Sequence, residues 1–139
     1  MNKQELLRLK RAWVFDHANE MIEEFNMGRS EAFRQAYLVH DLLEALGQGV
    51  VTFRYEKKDG NDRLARGTRC RGISERYDNY HYGDDPRKKE DPYPWLDIPY
   101  WDLDKQSFRS FSIEKLEEIV SVSIPNYREN NEHELIEFV

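Results

Sequence analysis

The residues best suited to do chemistry in this sequence are arginines and lysines, and they are concentrated in one segment. Positions 48–71 hold seven of them against three carboxylates, a net charge of +4, whereas the whole chain of 139 residues carries −6. Such side chains bind phosphates and carboxylates through charge-assisted hydrogen bonds. With an aromatic ring nearby, they form the surfaces that small barrels use for single-stranded nucleic acid. We therefore predict an anion-binding face that contains Arg54, Lys57, Arg63 and Arg66.

A simpler interpretation of the same segment is a solvated hairpin. Its arginines would then pair with an acidic loop or with the C-terminal tail, where four glutamates accompany only Arg128. An acidic chain is also a poor candidate for a protein whose whole surface binds nucleic acid. The sequence leaves both interpretations open.

Catalysis has little support in the sequence. His17, His40, His81 and His133 lie in four different segments, and no serine or cysteine stands in a recognisable nucleophile motif. The single cysteine, Cys70, excludes an intramolecular disulfide, and no zinc-type spacing is present. We expect a protein that is not an enzyme and that uses no metal and no cofactor.

Length and composition indicate one folded domain outside the membrane. Aromatic residues form 13% of the chain, which is far above the content of disordered sequences. The N-terminal residues show no apolar leader pattern, and no apolar run approaches the length of a membrane span. We expect a cytoplasmic protein with no membrane partner.

Residues 1–47 predict a pair of antiparallel helices. Apolar residues at three- and four-residue steps predict the packing face of the first helix: Leu6, Leu9, Ala12, Trp13, Val14, Met21, Ile22 and Phe25. Met27 and Gly28 interrupt this pattern. A second stripe over 31–46 predicts the packing face of the second helix: Phe33, Ala36, Tyr37, His40, Leu43 and Leu46.

Residues 48–125 predict a five-stranded barrel. Strands at 50–57 and 62–70 flank the turn 58–61, in which Gly60 supplies a positive φ. Strands at 95–103 and 107–113 flank a second turn, and a 3₁₀ turn at 114–116 precedes a strand at 118–124. In that last strand, Val120, Val122 and Ile124 are expected on one face, with Pro125 as its end. Gly67 predicts a bulge or kink.

Two segments fit no regular part of this pattern. Positions 72–94 are rich in proline and tyrosine, and they predict a long exposed loop without helix or strand. The acidic tail at 126–139 is compatible with a short helix or with an added strand. The predicted fold class is α+β, with an N-terminal helical pair followed by a five-stranded SH3-like or Sm-like β-barrel.

The sequence resembles a group of small barrel proteins. The resemblance is carried by FRYEKKDG at 53–60, by ARGT at 65–68, by the segment 100–122, and by SEAFRQAYLVHDLLEALGQGVV at 30–51. These residues resemble uncharacterised SH3-like β-barrel proteins encoded on phages and mobile elements of gut bacteria. The longer loop at 72–94 and the additional N-terminal helix depart from that pattern.

A more distant resemblance is to the WYL domain, an Sm-like barrel associated with ligand sensing and nucleic-acid binding in bacterial regulators. It rests on an F-x-Y-x-x-x-D-G hairpin and on the later strand Phe108-Arg109-Ser110-Phe111. The Trp-Tyr-Leu signature occurs only as Tyr100-Trp101-Asp102-Leu103, and no winged helix precedes the barrel in this sequence. The resemblance implies a pocket or groove on the barrel, with Arg63 and Arg109 as candidates for anion contact.

Two functions remain for such a chain. The first is a non-enzymatic binding module, in which the helical pair and the barrel bind another protein or self-associate. The alternative is nucleic-acid or nucleotide binding through the basic hairpin at 54–71. The first is preferred because the chain is acidic overall and lacks interleaved lysine and aromatic runs.

Overall fold

The computed structural model describes residues 1–80, 96–127 and 133–138 and contains two long helices followed by an antiparallel sheet. Helix α1 spans Lys3–Phe25 and helix α2 spans Arg29–Leu46. Asn26 adopts a left-handed φ of 54° just after α1, which reverses the chain within a short loop. The α+β class, with a helical pair before the sheet, is confirmed.

The two helices pack through small side chains. Ala18 of α1 and Ala32 and Ala36 of α2 are completely buried, so the helices approach closely. Val14 and Met21 complete the buried face of α1. Val14, Met21 and Ala36 belong to the predicted stripes, whereas Ala18 and Ala32 were not predicted to pack.

The predicted stripes are wrong at three positions of α1 and at one of α2. Leu6 is 55% exposed, Leu9 is 54% exposed and Ala12 is exposed as well. Leu9 and Ala12 lie beside α2, because Lys10 between them donates a hydrogen bond to Asp41 at 2.8 Å. At about 100° per residue they fall on the side of α1 opposite the buried Val14, so they point to solvent. Leu6 lies one turn before Lys10, near the end of α2 at Leu46. Tyr37, predicted to pack, is 42% exposed.

Six strands form one sheet, in the order β4-β3-β2-β1-β5-β6. Their bounds are Val50–Glu56 (β1), Asp62–Thr68 (β2), Asp97–Asp102 (β3), Ser107–Ser112 (β4), Leu116–Tyr127 (β5) and His133–Phe138 (β6). The five predicted strands and the 3₁₀ turn, at Ile113–Lys115, are confirmed. Within the described ranges no strand joins β4 to β6, so the sheet is open. The described part of the tail is a strand rather than a helix.

Strand β5 differs from its prediction in two ways. Its register against β1 shifts between Thr52 and Phe53, so Val120 is an extra residue with no partner in β1. Val120 is 39% exposed and does not share a face with Val122 as predicted. The strand also continues through Pro125. Pairing with β1 ends at Ser123, so Pro125 has only β6 beside it and its missing N–H breaks no bond to β1.

The prediction for Gly67 was also wrong, because the register of β1 and β2 is uninterrupted there. A Cβ at this position would lie 2.5 Å from Cδ2 of Tyr100. Glycine is therefore required by the close approach of a buried ring. Gly60 has φ of +88°, as the hairpin turn requires.

The loop predicted at 72–94 contains one turn of helix, α3, at Glu75–Asp78. Ser74 caps the N-terminus of this turn. The rings of Tyr77 and Tyr80 both pack on Trp101, each with its centroid 5.6 Å from that of the indole. The expectation of a wholly irregular, exposed loop is thus wrong at its start. Residues 81–95 lie outside the described residues.

A single main core joins the helices to the sheet. Alternating residues of β1 point inward, so that Val51, Phe53 and Tyr55 pack with Leu42 and Leu46 of α2. The side-chain amide of Gln35 donates hydrogen bonds to the carbonyls of Ile113, at 3.1 Å, and Leu116, at 2.8 Å. Helix α2 is therefore attached to the 3₁₀ turn as well as to the core.

Candidate binding groove

A cavity of about 620 Å³ lies between the end of the β1–β2 hairpin and strand β4, and we call it the hairpin groove. Its hairpin wall consists of Tyr55, Glu56, Lys57, Lys58, Gly60 and Arg63. Its β4 wall consists of Arg109, Ser110, Phe111 and Ser112. Asp97, Glu114 and Lys115 complete the lining. The groove thus occupies the opening that the unclosed sheet leaves.

The groove carries five cationic side chains and three carboxylates. Lys115 pairs with Glu56 at 2.9 Å, and Lys57 pairs with Asp59 of the turn at 3.4 Å. Arg109 donates to Ser107 Oγ and to the carbonyl of Phe108, which are neutral groups. In the described part of the chain, neither Arg109 nor Lys58 has a carboxylate partner. These two cations are available to an anionic group of a ligand.

Arg63 has a different role in the groove, because it is bonded to a buried carboxylate. Its guanidinium donates to Asp102, which is fully buried. Burial disfavours the charged guanidinium, but its hydrogen bonds to Tyr100 and Asp102 outweigh this effect and raise its pKa above the usual value. Arg63 therefore stays charged and fixes β2 against β3.

Two aromatic rings line the base of the groove but present almost no surface. Tyr55 and Phe111 are each 3% exposed, and the hydroxyl of Tyr55 lies 2.7 Å from that of Tyr100. Burial, with the neighbouring hydroxyl of Tyr55, raises the pKa of Tyr100 above its ordinary value. Among the described residues, the base of the groove is therefore a neutral, packed surface without an exposed ring on which a base could stack.

The structure does not bring the five predicted anion contacts onto one face. Lys57, Arg63 and Arg109 line the groove. Arg54 and Arg66 point to the opposite side of the sheet, because side chains alternate along a strand. There Arg54 pairs with Glu118, and Arg66 lies 3.3 Å from Asp104. Whether any of the five binds an anion stays a prediction.

Sequence reasoning missed most of the groove lining, including Lys58, Ser110 and Lys115. Lys58 stands in the predicted hairpin turn, beside the proposed Lys57, so its sequence position was a usable signal. Ser110 and Lys115 carry no such signal, since their place in the groove depends on which strand edge the fold leaves unpaired.

One further cluster of potential metal ligands lies on α2. Ligand atoms of His40, Asp41 and Glu44 lie within 4.8 Å of one another. The ammonium of Lys10 lies 2.8 Å from Asp41 and 4.0 Å from Glu44. A lysine therefore already supplies the positive charge at this cluster, and we assign no metal to it.

The fold and the groove define a small binding module built on an open SH3-like barrel. Residues 39–117 match the family model WYL_2, described as an Sm-like SH3 beta-barrel fold. Because this match spans more than half of the chain, the chain belongs to that family. No curated protein and no solved structure is significantly similar to it. The phage and mobile-element origin stays a prediction.

The helices of the described residues are not membrane spans. None of them combines the length and the apolar character that crossing a bilayer requires.

Proposed function

We propose that this chain is a non-enzymatic binding module that binds a segment of a protein partner in the hairpin groove. The observation that carries this proposal is the pair of cations Lys58 and Arg109, which face one groove and have no carboxylate partner among the described residues. A carboxylate of the partner supplies the missing charge at each of them. The neighbouring Ser110 and Ser112 offer polar groups suited to a polypeptide.

The composition of the groove favours a protein over a nucleic acid. Glu56, Asp97 and Glu114 interrupt its cationic lining, whereas a phosphate backbone presents a continuous run of negative charge. The two aromatic rings that the described residues place in it are buried, so these rings offer no platform for the stacking that dominates single-strand binding. A protein segment places single carboxylates between neutral residues and matches such a mixed surface better.

Fluorescence anisotropy of the full chain tests this proposal with three labelled probes. These are a short peptide that alternates glutamate and valine, the same peptide with lysine for glutamate, and an oligothymidylate of the same charge as the first. We expect the acidic peptide to bind best and its affinity to fall with salt. Lys58→Ala and Arg109→Ala should each weaken it, whereas Arg34→Ala, an exposed arginine of α2, should not. Absence of peptide binding at low salt would reject the proposal.

Nucleic-acid or nucleotide binding is the second candidate, and one observation favours it. Arg54 and Arg66 lie close together on the outer face of the sheet. Arg54 of β1 is opposite Leu64 of β2, and Arg66 of β2 is opposite Thr52 of β1. If they contact phosphates, a plot of the logarithm of the oligonucleotide affinity against the logarithm of the salt concentration should have a slope of about −0.7 per contact. Arg66→Ala should then lower the slope by about one contact. An affinity insensitive to Arg54 and Arg66 would eliminate this candidate.

A further inference from the structure

We infer that the partner segment binds as an additional β-strand on the free edge of β4, and that this segment is acidic. The inference rests on the proposed function, because it specifies how the hairpin groove holds a protein. Strand addition supplies affinity through main-chain hydrogen bonds and specificity through alternate side chains.

The lining of the groove shows that it runs along an edge of β4 rather than over a face of the sheet. Four consecutive residues, Arg109 to Ser112, contact the groove. Successive side chains of a strand point to opposite faces, so a cavity above one face would touch only every second residue. A cavity that touches all four lies beside the strand. Strand β3 occupies the other edge over the full length of β4.

The register then identifies which backbone groups face the groove. The N–H of Ile113 donates to the carbonyl of Leu96 at 2.8 Å, in line with the pairing of Ser112 and Asp97. Because N–H groups alternate in direction along a strand, those of Ser110 and Ser112 point away from β3. Pro99 supports this assignment independently, because it lies opposite Ser110 and has no N–H to donate to β4.

This edge lacks the features that usually protect a sheet edge. Strand β4, SFRSFS, contains no proline and no lysine. Its register with β3 shows no bulge. No strand of the described residues pairs with its outer side. An exposed edge that is bordered by a groove is suited to pair with another chain.

Charge specifies the chemistry of the added strand. Arg109, which has no carboxylate partner in the part of the chain that the structure describes, is part of β4 itself, and Lys58 stands across the groove at the hairpin end. An added strand lies between these two walls. Acidic residues at alternating positions of the segment would meet Arg109 on one side, and a terminal acidic residue would meet Lys58.

A proline substitution in the full chain tests the strand addition. Ser110→Pro removes an N–H that points into the groove and leaves the bonds between β3 and β4 intact, whereas Ser110→Ala keeps that N–H. With the acidic glutamate and valine peptide, we expect Ser110→Pro to weaken binding by about tenfold or more, since a donor is lost and a partner carbonyl is stranded. Ser110→Ala should bind within about twofold of the parent chain by the same principle. Circular dichroism and urea unfolding establish that both variants fold.

A second measurement leaves the protein unchanged. Single N-methylation along the peptide should abolish binding at every second position and have little effect between them, because only alternate amides of an added strand face β4. Unchanged binding by Ser110→Pro, or N-methyl effects without this alternation, would overturn strand addition while the proposed function stands. If no peptide binds the parent chain, the proposed function itself fails. Tighter binding of the oligothymidylate, or a dimer through β4 that excludes the peptide, would also overturn the inference.

Discussion

Replacing Asp102 with alanine should lower the free energy of unfolding by about 3–5 kcal/mol. Asp102 is completely buried, and the side chain of its partner Arg63 is 22% exposed. Removing one member of such a pair leaves an uncompensated charge in a poorly hydrated site, which costs more than the pair contributes as a whole. The carboxylate also accepts the N–H groups of Asp104 and Lys105, each at 2.9 Å. Both of those residues are exposed, so water can replace these two bonds.

The pair has this influence because the ladder between β2 and β3 is short. Their register contains two residue pairs, Gly67 with Asp102 and Thr68 with Trp101, and the N–H of Leu103 donates to the carbonyl of Arg66 at 2.9 Å. The Arg63 contact extends that short ladder toward the hairpin end. Losing it should therefore loosen the connection between the two halves of the sheet, in addition to exposing a charge.

Urea unfolding followed by tryptophan fluorescence measures the effect as a lower midpoint at unchanged slope. The control is Arg63→Met combined with Asp102→Leu, which removes both charges at similar volume and should recover most of the lost stability. A cost below about 1 kcal/mol for Asp102→Ala, within the range of an exposed ion pair, would refute the reasoning. A double variant as unstable as the single one would do so as well.

Three further predictions concern packing and pH. Gly67→Ala should destabilise by about 1–3 kcal/mol in urea, because the new Cβ would lie 2.5 Å from Cδ2 of Tyr100. Burial lowers the pKa of His40 from its ordinary 6.5, so the unfolded chain binds more protons below that pH. The free energy of unfolding should then fall as the pH decreases below 6.5, and His40→Gln should reduce this dependence in urea titrations. Trp101→Ala should cost about 3–5 kcal/mol and Tyr80→Ala about 1 kcal/mol, both from urea midpoints, because Trp101 is 2% exposed whereas Tyr80 is only partly buried.

The strands could be predicted because their signals are local. Alternation along β1, the turn at Gly60 and the short 3₁₀ segment each depend on neighbouring residues. The class of fold follows from the order of these elements. The bulge at Val120 could not be found in this way, because it depends on how β5 matches the twist of β1.

The groove could be predicted only in part. The resemblance to WYL domains implied a groove with Arg63 and Arg109, and both residues line it. The segregation of Arg54 and Arg66 to the other face follows from strand alternation, which the search for a basic cluster did not apply. The pairing of Arg63 with Asp102 joins residues that are 39 positions apart, so only the folded structure reveals it.

The unit that carries the hairpin groove is α2 together with the barrel, and α1 packs against it. The family match begins inside α2 and ends just after the 3₁₀ turn. Within α2, the carbonyl of Leu46 accepts the N–H of Arg69 at 2.8 Å, and Gln35 holds the turn that carries the groove residue Lys115. Helix α1 leaves Leu6 and Leu9 outside this unit and exposed. A change in α1 that spares its contacts with α2 and with the 3₁₀ turn should therefore leave the groove intact, whereas a change at Gln35 acts on the groove wall directly.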